Sequence, residues 1–328
     1  MKNIYIITAA LLLSVANSCV MVQVHESGGT EGTASVTFRT NWNGTGSQYP
    51  EKAKVALARR VNSIHYTYDL PEQKAGNAIR PGEYYFTAFS VSDNGTYSFS
   101  EPLSAFAADP SYSMRDISVS LRNMTDGEVS SFYGNGAGIS EDGMPYIVQA
   151  EDFFAASGPF HASPGEEINL DMAMEGMTQE IVFTMKLTQE EGVSPTRVYG
   201  DISGLAGSIH PMDRTVDHEH LCRSTIEFSL TSSEGSVMEY EGRIRTLGLF
   251  PSGDASLTEG PGILHLLIDY SAPDGDGTQE EYLNLKSQII NAKLMEVPKG
   301  GSGYRIAADY AEIRAPKTIT VRNEIQEE

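Results

Sequence analysis

"INLDMAMEGMTQEIVFTMKL", residues Ile168 to Leu187, is the stretch on which the fold class turns. Ile168, Leu170, Met172 and Met174 alternate with Asn169, Asp171 and Ala173, a Glu175-Gly176 turn follows, and Ile181, Phe183, Met185 and Leu187 alternate again. A spacing of two puts the apolar side chains on one face of an extended strand, whereas a helix would need spacings of three and four. The same signal runs outward in both directions. Upstream it recurs at Val36 and Phe38, at Val55 and Leu57, at Ile64, Tyr66 and Tyr68, through "PGEYYFTAFSV" (Pro81 to Val91), and at Ile117, Val119 and Leu121. Downstream it continues at Ile226, Phe228 and Leu230, and "ILHLLIDY" (Ile263 to Tyr270) reads as a strand buried on both faces. "YLNLKSQIINAKL" (Tyr282 to Leu294) reads as a strand running into a short helix, and long helical periods are otherwise absent. Short strands between Gly and Pro turns define an all-β chain built from sandwiches. The best internal boundary is the Ser163-Pro164-Gly165 turn, giving an N-terminal sandwich over 34–165 and a C-terminal one over 166–328. Asn94-Gly95, between two strand-like runs, reads as a hairpin turn.

The N-terminus carries a different signal. Lys2 precedes an apolar run, Ile4 to Val15, and the small residues Ala16-Asn17-Ser18 lead to Cys19. This is the charge, apolar core and small-residue end of a secretory signal. The run is shorter than the roughly 20 apolar residues that cross a bilayer. A cysteine placed where such a run stops resembles a bacterial lipoprotein signal, in which Cys19 becomes the first mature residue and carries acyl chains. Residues 1–18 are then the signal peptide and 19–33 a Gly-rich tether, "CVMVQVHESGGTEGT". An edge strand at Val20, Val22 and Val24 is the competing reading of the tether. Cys222 is the only other cysteine, so acylation of Cys19 leaves no pair for an intramolecular disulfide.

Charge removes one class of function. With 23 Lys and Arg against 44 Asp and Glu, the net charge is −21 and there is no basic stripe for phosphates. Nucleic acid is excluded as a partner on electrostatic grounds.

Three stretches, "VTFRTNW" (Val36 to Trp42), "PGEYYFTAFSV" and "RVYGDISGLAGSI" (Arg197 to Ile209), are similar to passages in the fimbrillin-type lipoproteins of Bacteroidetes, a group of fimbrial anchors, minor pilins and relatives. The resemblance implies two tandem transthyretin-like (Greek-key) sandwich domains and a lipid anchor in the outer membrane, facing the cell surface. It also implies partnership with other fimbrial or pilin-like subunits by strand addition, no cofactor and no catalysis. Gly204 and Gly207 in the third stretch suit a bulged strand, or equally a surface loop. The last strand-like run, "TITV" (Thr318 to Val321), is followed only by "RNEIQEE", too short a tail to span a neighbour's sheet. The expected role is a fimbrial anchor or accessory subunit, with a glycan-binding surface lipoprotein as the alternative.

Two clusters carry chemistry-bearing side chains. "MDRTVDHEHLC" holds Asp213, Asp217, His218, Glu219, His220 and Cys222. On a strand, His218, His220 and Cys222 would share a face, a donor set suited to zinc. The polar context and the lack of a second ligand pair favour a solvated loop and no metal. "APDGDGTQEE" (Ala272 to Glu281) offers Asp274, Asp276, Glu280 and Glu281 without the spacing of a calcium loop, and reads as a hairpin tip. Trp42, Tyr49, Tyr66, Tyr68, Tyr84, Tyr85 and Tyr112 lie in the first half, where core and rim packing competes with a sugar-stacking platform. Adjacent Tyr84 and Tyr85 must face opposite sides of a sheet.

Overall fold

The computed structural model describes residues 32–42, 52–60, 65–70, 77–91, 94–100, 111, 113–134 and 143–297, and the backbone of 310–314 and 319–321. Cys19, residues 20–31 of the tether, Ile64, Tyr49 and Tyr112 lie outside the described residues. The chain is all-β, with strands β1 (Ala34–Asn41), β2 (Lys52–Arg59), β3 (His65–Leu70), β4 (Asn77–Ile79) and β5 (Gly82–Val91) opening it. Then come β6 (Tyr97–Phe99), β7 (Val119–Leu121), β8 (Phe154–Ala162), β9 (Glu167–Ala173) and β10 (Glu175–Gly176). A three-stranded sheet, β4-β1-β9, faces a five-stranded one, β10-β8-β5-β2-β3. Between them lies the first core, with Val36, Phe38, Val55, Leu57, Tyr84 and Met172 among its members. These are the alternating positions of the sequence, so the period-two pattern translates directly into buried faces.

The second core is larger. Strands β11 (Gln179–Gln189), β12 (Ser194–Ala206), β13 (Ser208–His210), β14 (Thr215–Val216), β15 (Leu221–Glu234) and β16 (Val237–Thr246) lead into β17 (Ile263–Ala272) and β18 (Gly275–Asn284). Two short strands, β19 (Tyr310–Arg314) and β20 (Ile319–Val321), close the series. The main sheet runs β18-β17-β12-β15-β16-β11-β19, with β20 further along β11, and both terminal strands pair with β11 in parallel. A four-stranded sheet, β14-β13-β7-β6, lies against it. Ile181, Phe183, Ile226, Leu266, Val119 and Ile209 meet in this core.

Two expectations are corrected. The Ser163-Pro164-Gly165 turn joins β8 to β9, and β9 returns to pair with β1 in parallel, from Ser35 opposite Glu167 to Asn41 opposite Ala173. Both strands belong to the first core, so the last change of core falls between Met174, packed in the first, and Met177, packed in the second. A Pro-Gly turn reverses the chain but does not say which sheet edge takes the next strand. Likewise Asn94-Gly95 is a turn without a hairpin: Gly95 has φ +76°, and Asn94 Oδ1 accepts the Thr96 amide at 3.1 Å. After it, β6 pairs with β7 and not with β5. The chain has already left the first sheet for the second core.

Other expectations hold. β17 is buried on both faces from Ile263 to Leu267, and β18 runs into helix α2 (Lys286–Ala292). One helix went unseen in the sequence, α1 (Asp126–Tyr133). Thr125 accepts the Glu128 amide while Glu128 accepts the Thr125 amide, a reciprocal N-terminal cap. Val129 and Tyr133, four apart, put the buried stripe of α1 on the outer face of the main sheet, against Tyr199 and Leu267.

Candidate functional site

The acid- and histidine-rich segment forms the wall of a cavity of about 850 Å³, together with Phe250 and residues 295–297. β13 and β14 make a short hairpin, with Arg214 at its turn in the left-handed region at φ +59°. Asp213 Oδ1 accepts from the Thr215 amide and hydroxyl at 3.3 and 2.6 Å. Residues 217–220 then form a second tight turn, pinned by Asp217, whose Oδ1 accepts the amides of Glu219 and His220 at 2.8 and 3.3 Å. Its Oδ2 lies 3.0 Å from His220 Nδ1. Burial works against the Asp217 carboxylate, but these amides and the His220 ring hold its pKa below the usual value.

This geometry separates the three side chains offered as metal ligands. Residues 217–220 are turn and not strand, so His218, His220 and Cys222 share no face. The His220 side chain is 83% exposed, whereas Cys222 is buried in the second core beside Gly207. Burial pushes the Cys222 thiol up to about 11, away from the thiolate that zinc requires. Among the described residues no three His, Cys, Asp or Glu side chains are placed to hold a metal ion.

The second acidic cluster separates. Asp274 and Asp276 sit at the exposed β17–β18 hairpin tip, where Ala272 pairs with Gly275. Glu280 lies mid-strand and belongs to a network that sequence reading missed. Its centre is Asp201 on β12, fully buried. Arg223 Nη1 and the Tyr133 hydroxyl donate to Asp201, the Tyr146 hydroxyl donates at 3.3 Å, and His265 Nδ1 lies 3.1 Å away. His265 Nε2 is 2.7 Å from Glu280 Oε1, which also accepts the Tyr282 hydroxyl at 2.7 Å. The Tyr282 ring stacks on His265 with centroids 4.7 Å apart. Burial disfavours the charged imidazole, but Asp201 and Glu280 on its two nitrogens outweigh that and raise its pKa. Both ring nitrogens can donate at once only as imidazolium. The network clamps α1 and the Tyr146 segment to the sheet, and its acids and bases are committed to one another.

Trp42, Tyr68 and Tyr84, among the aromatic residues of the first half, go to packing. Tyr84 stacks on Phe160 at 5.1 Å and donates to the Arg80 carbonyl at 2.7 Å, Tyr68 meets Phe38 at 5.1 Å, and Trp42 meets Phe154 edge-on at 5.3 Å. Tyr84 is buried and Tyr85 is 40% exposed, on opposite faces as expected.

The chain matches no known family profile and no curated protein. Among solved structures, a candidate adhesin from Bacteroides ovatus is similar over 90% of this chain and 99% of its own, at 14% identity and TM-score 0.52. A second candidate adhesin from Bacteroides ovatus covers 86% of each chain at 12% identity and TM-score 0.46. The fimbrial anchor protein Mfa2 from Porphyromonas gingivalis aligns over 86% of this chain and 89% of its own, at 12% identity and TM-score 0.43. At TM-score 0.52 the first of these shares the fold of this chain over nearly its whole length. The all-β architecture is thus one also found in that candidate adhesin.

Proposed function

We propose that this chain is a non-enzymatic adhesion protein of the cell surface, held in the outer membrane by acyl chains on Cys19 and acting as a fimbrial anchor or accessory subunit. The observation that carries the reading is the end-to-end likeness of fold to a candidate adhesin. The sheet edges add a mode of contact. β11 already carries β19 and β20 along its outer side, whereas β18 pairs with β17 alone among the described residues. The outer side of β18, a strand of ten residues, is a natural seat for a partner's strand. An anchor fixed at its first mature residue ends a filament and does not repeat within it.

Two measurements test this. Cys19→Ala should move the protein from the detergent phase to the aqueous phase, and unchanged partitioning would end the lipoprotein reading. Backbone N–H groups alternate sides along a strand, so of Thr278 and Glu281, an odd number of positions apart, one points its N–H outward. One of Thr278→Pro and Glu281→Pro should therefore leave stability intact and weaken co-purification with pilin-like proteins, while deleting residues 322–328 should not. Loss of co-purification on the tail deletion alone would instead mark a polymerising subunit.

A further inference from the structure

We propose that the end of the first sandwich where the chain enters the fold lies against the membrane, with Arg59 and Arg60 on anionic lipid headgroups. The inference rests on the Cys19 anchor of the proposed function and deepens it by saying which face that anchor brings to the lipid.

Charge is divided sharply along the chain. Residues 34–91 carry 7 Lys and Arg against 4 Asp and Glu, a net charge of +3, whereas residues 92–328 carry 15 against 38, a net charge of −23. Such an asymmetry within one chain points to a membrane or another anionic partner for its basic part. Two arginines are too few to hold a nucleic-acid backbone, but they suffice for a surface that a tether already keeps close.

The fold gathers part of the basic region at the point of entry. β1 begins at Ala34 opposite Ile79, beside the Arg80-Pro81-Gly82 link from β4 into β5. The Thr33 carbonyl accepts the Gly165 amide at 3.0 Å, which adds the β8–β9 turn to the same end. β2 finishes there too: Arg59 Nε lies 2.6 Å from where a Gly82 Cβ would stand, and the Arg60 amide donates to the Glu83 carbonyl at 2.8 Å. Neither arginine side chain makes a hydrogen bond or ion pair among the described residues, and Arg60 is exposed. The acids at this end are engaged or set apart. Glu83 pairs with His161 at 2.8 Å, Glu166 accepts the Ser163 amide at 2.7 Å, and Glu167 stands on β9, an edge of the opposite sheet. Tyr85, 40% exposed and paired with Ala58, adds an amphipathic ring of the kind that sits at headgroup level. The second core takes hold toward the opposite ends of β5 and β8, through Phe89 and Ala155, and so faces away from the lipid. Cys19 and Thr33 are 14 positions apart, so the anchor keeps the entry end within about 50 Å of the bilayer, and the arginines draw it in.

The test couples the mature chain through Cys19 to a maleimide-bearing lipid, Cys222 being buried, so that the result does not depend on acylation in the cell. A fluorescent amino acid replaces Tyr85 or, at the β17–β18 tip, Asp274, and nitroxide-headgroup lipid quenches whatever lies at the surface. On vesicles of phosphatidylcholine with phosphatidylglycerol, the probe at position 85 should be quenched severalfold more than the probe at 274. Added salt should shrink that difference. R59Q/R60Q should remove most of it, whereas R115Q/K293Q, which deletes two exposed cations elsewhere, should not. Because Arg59 packs over Gly82, Arg60→Gln alone is the companion variant and should act in the same direction. Equal quenching at the two positions, an unchanged difference on phosphatidylcholine alone, or indifference to R59Q/R60Q would overturn the proposal. Detergent partitioning of Cys19→Ala reports separately on the anchor, so the two readings fail by different results.

Discussion

Asp201 is the residue on which most of the second core's polar chemistry converges, and its removal should be among the most damaging single changes. Arg223 and His265 are both buried, with 4% of each side chain exposed, and both depend on this carboxylate. Breaking a buried ion pair by deleting one partner leaves an uncompensated charge, which costs about 3–5 kcal/mol. Asp201→Ala should therefore lower the urea midpoint by a corresponding amount without changing the far-ultraviolet spectrum in water. The His265 shift adds a pH signature. Its folded pKa stands above the unfolded value of about 6.5, so its contribution is complete below about pH 6.5 and is lost as pH rises through the folded pKa. His265→Gln should flatten that decline in stability on the alkaline side. An unchanged slope in the variant would mean that the ring is neutral throughout.

The long strand β12 shows what a single glycine does for an element. Its pairing with β15 slips between Ser203 and Leu205, and the residue between them, Gly204, has φ +86°. A Cβ there would lie 2.6 Å from both Gly262 N and the Phe250 carbonyl. Of the two readings open from spacing alone, the bulged strand is the one realised. Gly204→Ala combines left-handed strain of about 1–3 kcal/mol with two backbone clashes. It should lower the melting temperature more than Gly253→Ala, where a Cβ meets nothing within 4 Å. The α1 element teaches the opposite lesson. Its cap, Thr125-x-x-Glu128, was present in the sequence as a helix-start signal, but eight residues with only Val129 and Tyr133 buried carry too little periodicity to declare a helix.

At the scale of the molecule, the two cores are interleaved along the chain. Strands β1 to β5 build the first, β6 and β7 cross to the second, β8 to β10 return, and β11 onward completes the second. The five-stranded sheet is shared as well, since Phe89 and Ala155 point into the second core while Phe86 and Ala156 point into the first. Ser157 donates to the Met212 carbonyl at 2.9 Å, and Glu175 holds Arg214, adding polar ties between the two. Cutting at the 163–167 turn should thus release no independent half. A fragment of residues 34–165 lacks β9 and leaves β7 without its second core, and should be insoluble or molten. The full mature chain should melt in one calorimetric transition, and two resolved transitions would show that the cores fold separately.

The sequence by itself determined the strands, their buried faces and the all-β class, because alternation is a local property that any sheet must respect. Val36 with Phe38, Ile181 with Phe183, and the continuous run from Ile263 all went where their pattern sent them. It also pointed to the Asp217 turn, since Asp, His and Glu in a polar run mark a solvated loop. Only the tertiary structure decided which edge each strand joined, that Asp201, Arg223 and His265 meet, and that the 213–220 segment walls a cavity with Phe250 and Met295. Those facts depend on residues brought together across 22 to 64 positions or more, and neither turn chemistry nor periodicity reaches that far. Asp201 and His265 sit inside runs that read as plain strand, and a lone polar residue in such a run shows its purpose only when its partner arrives from another strand.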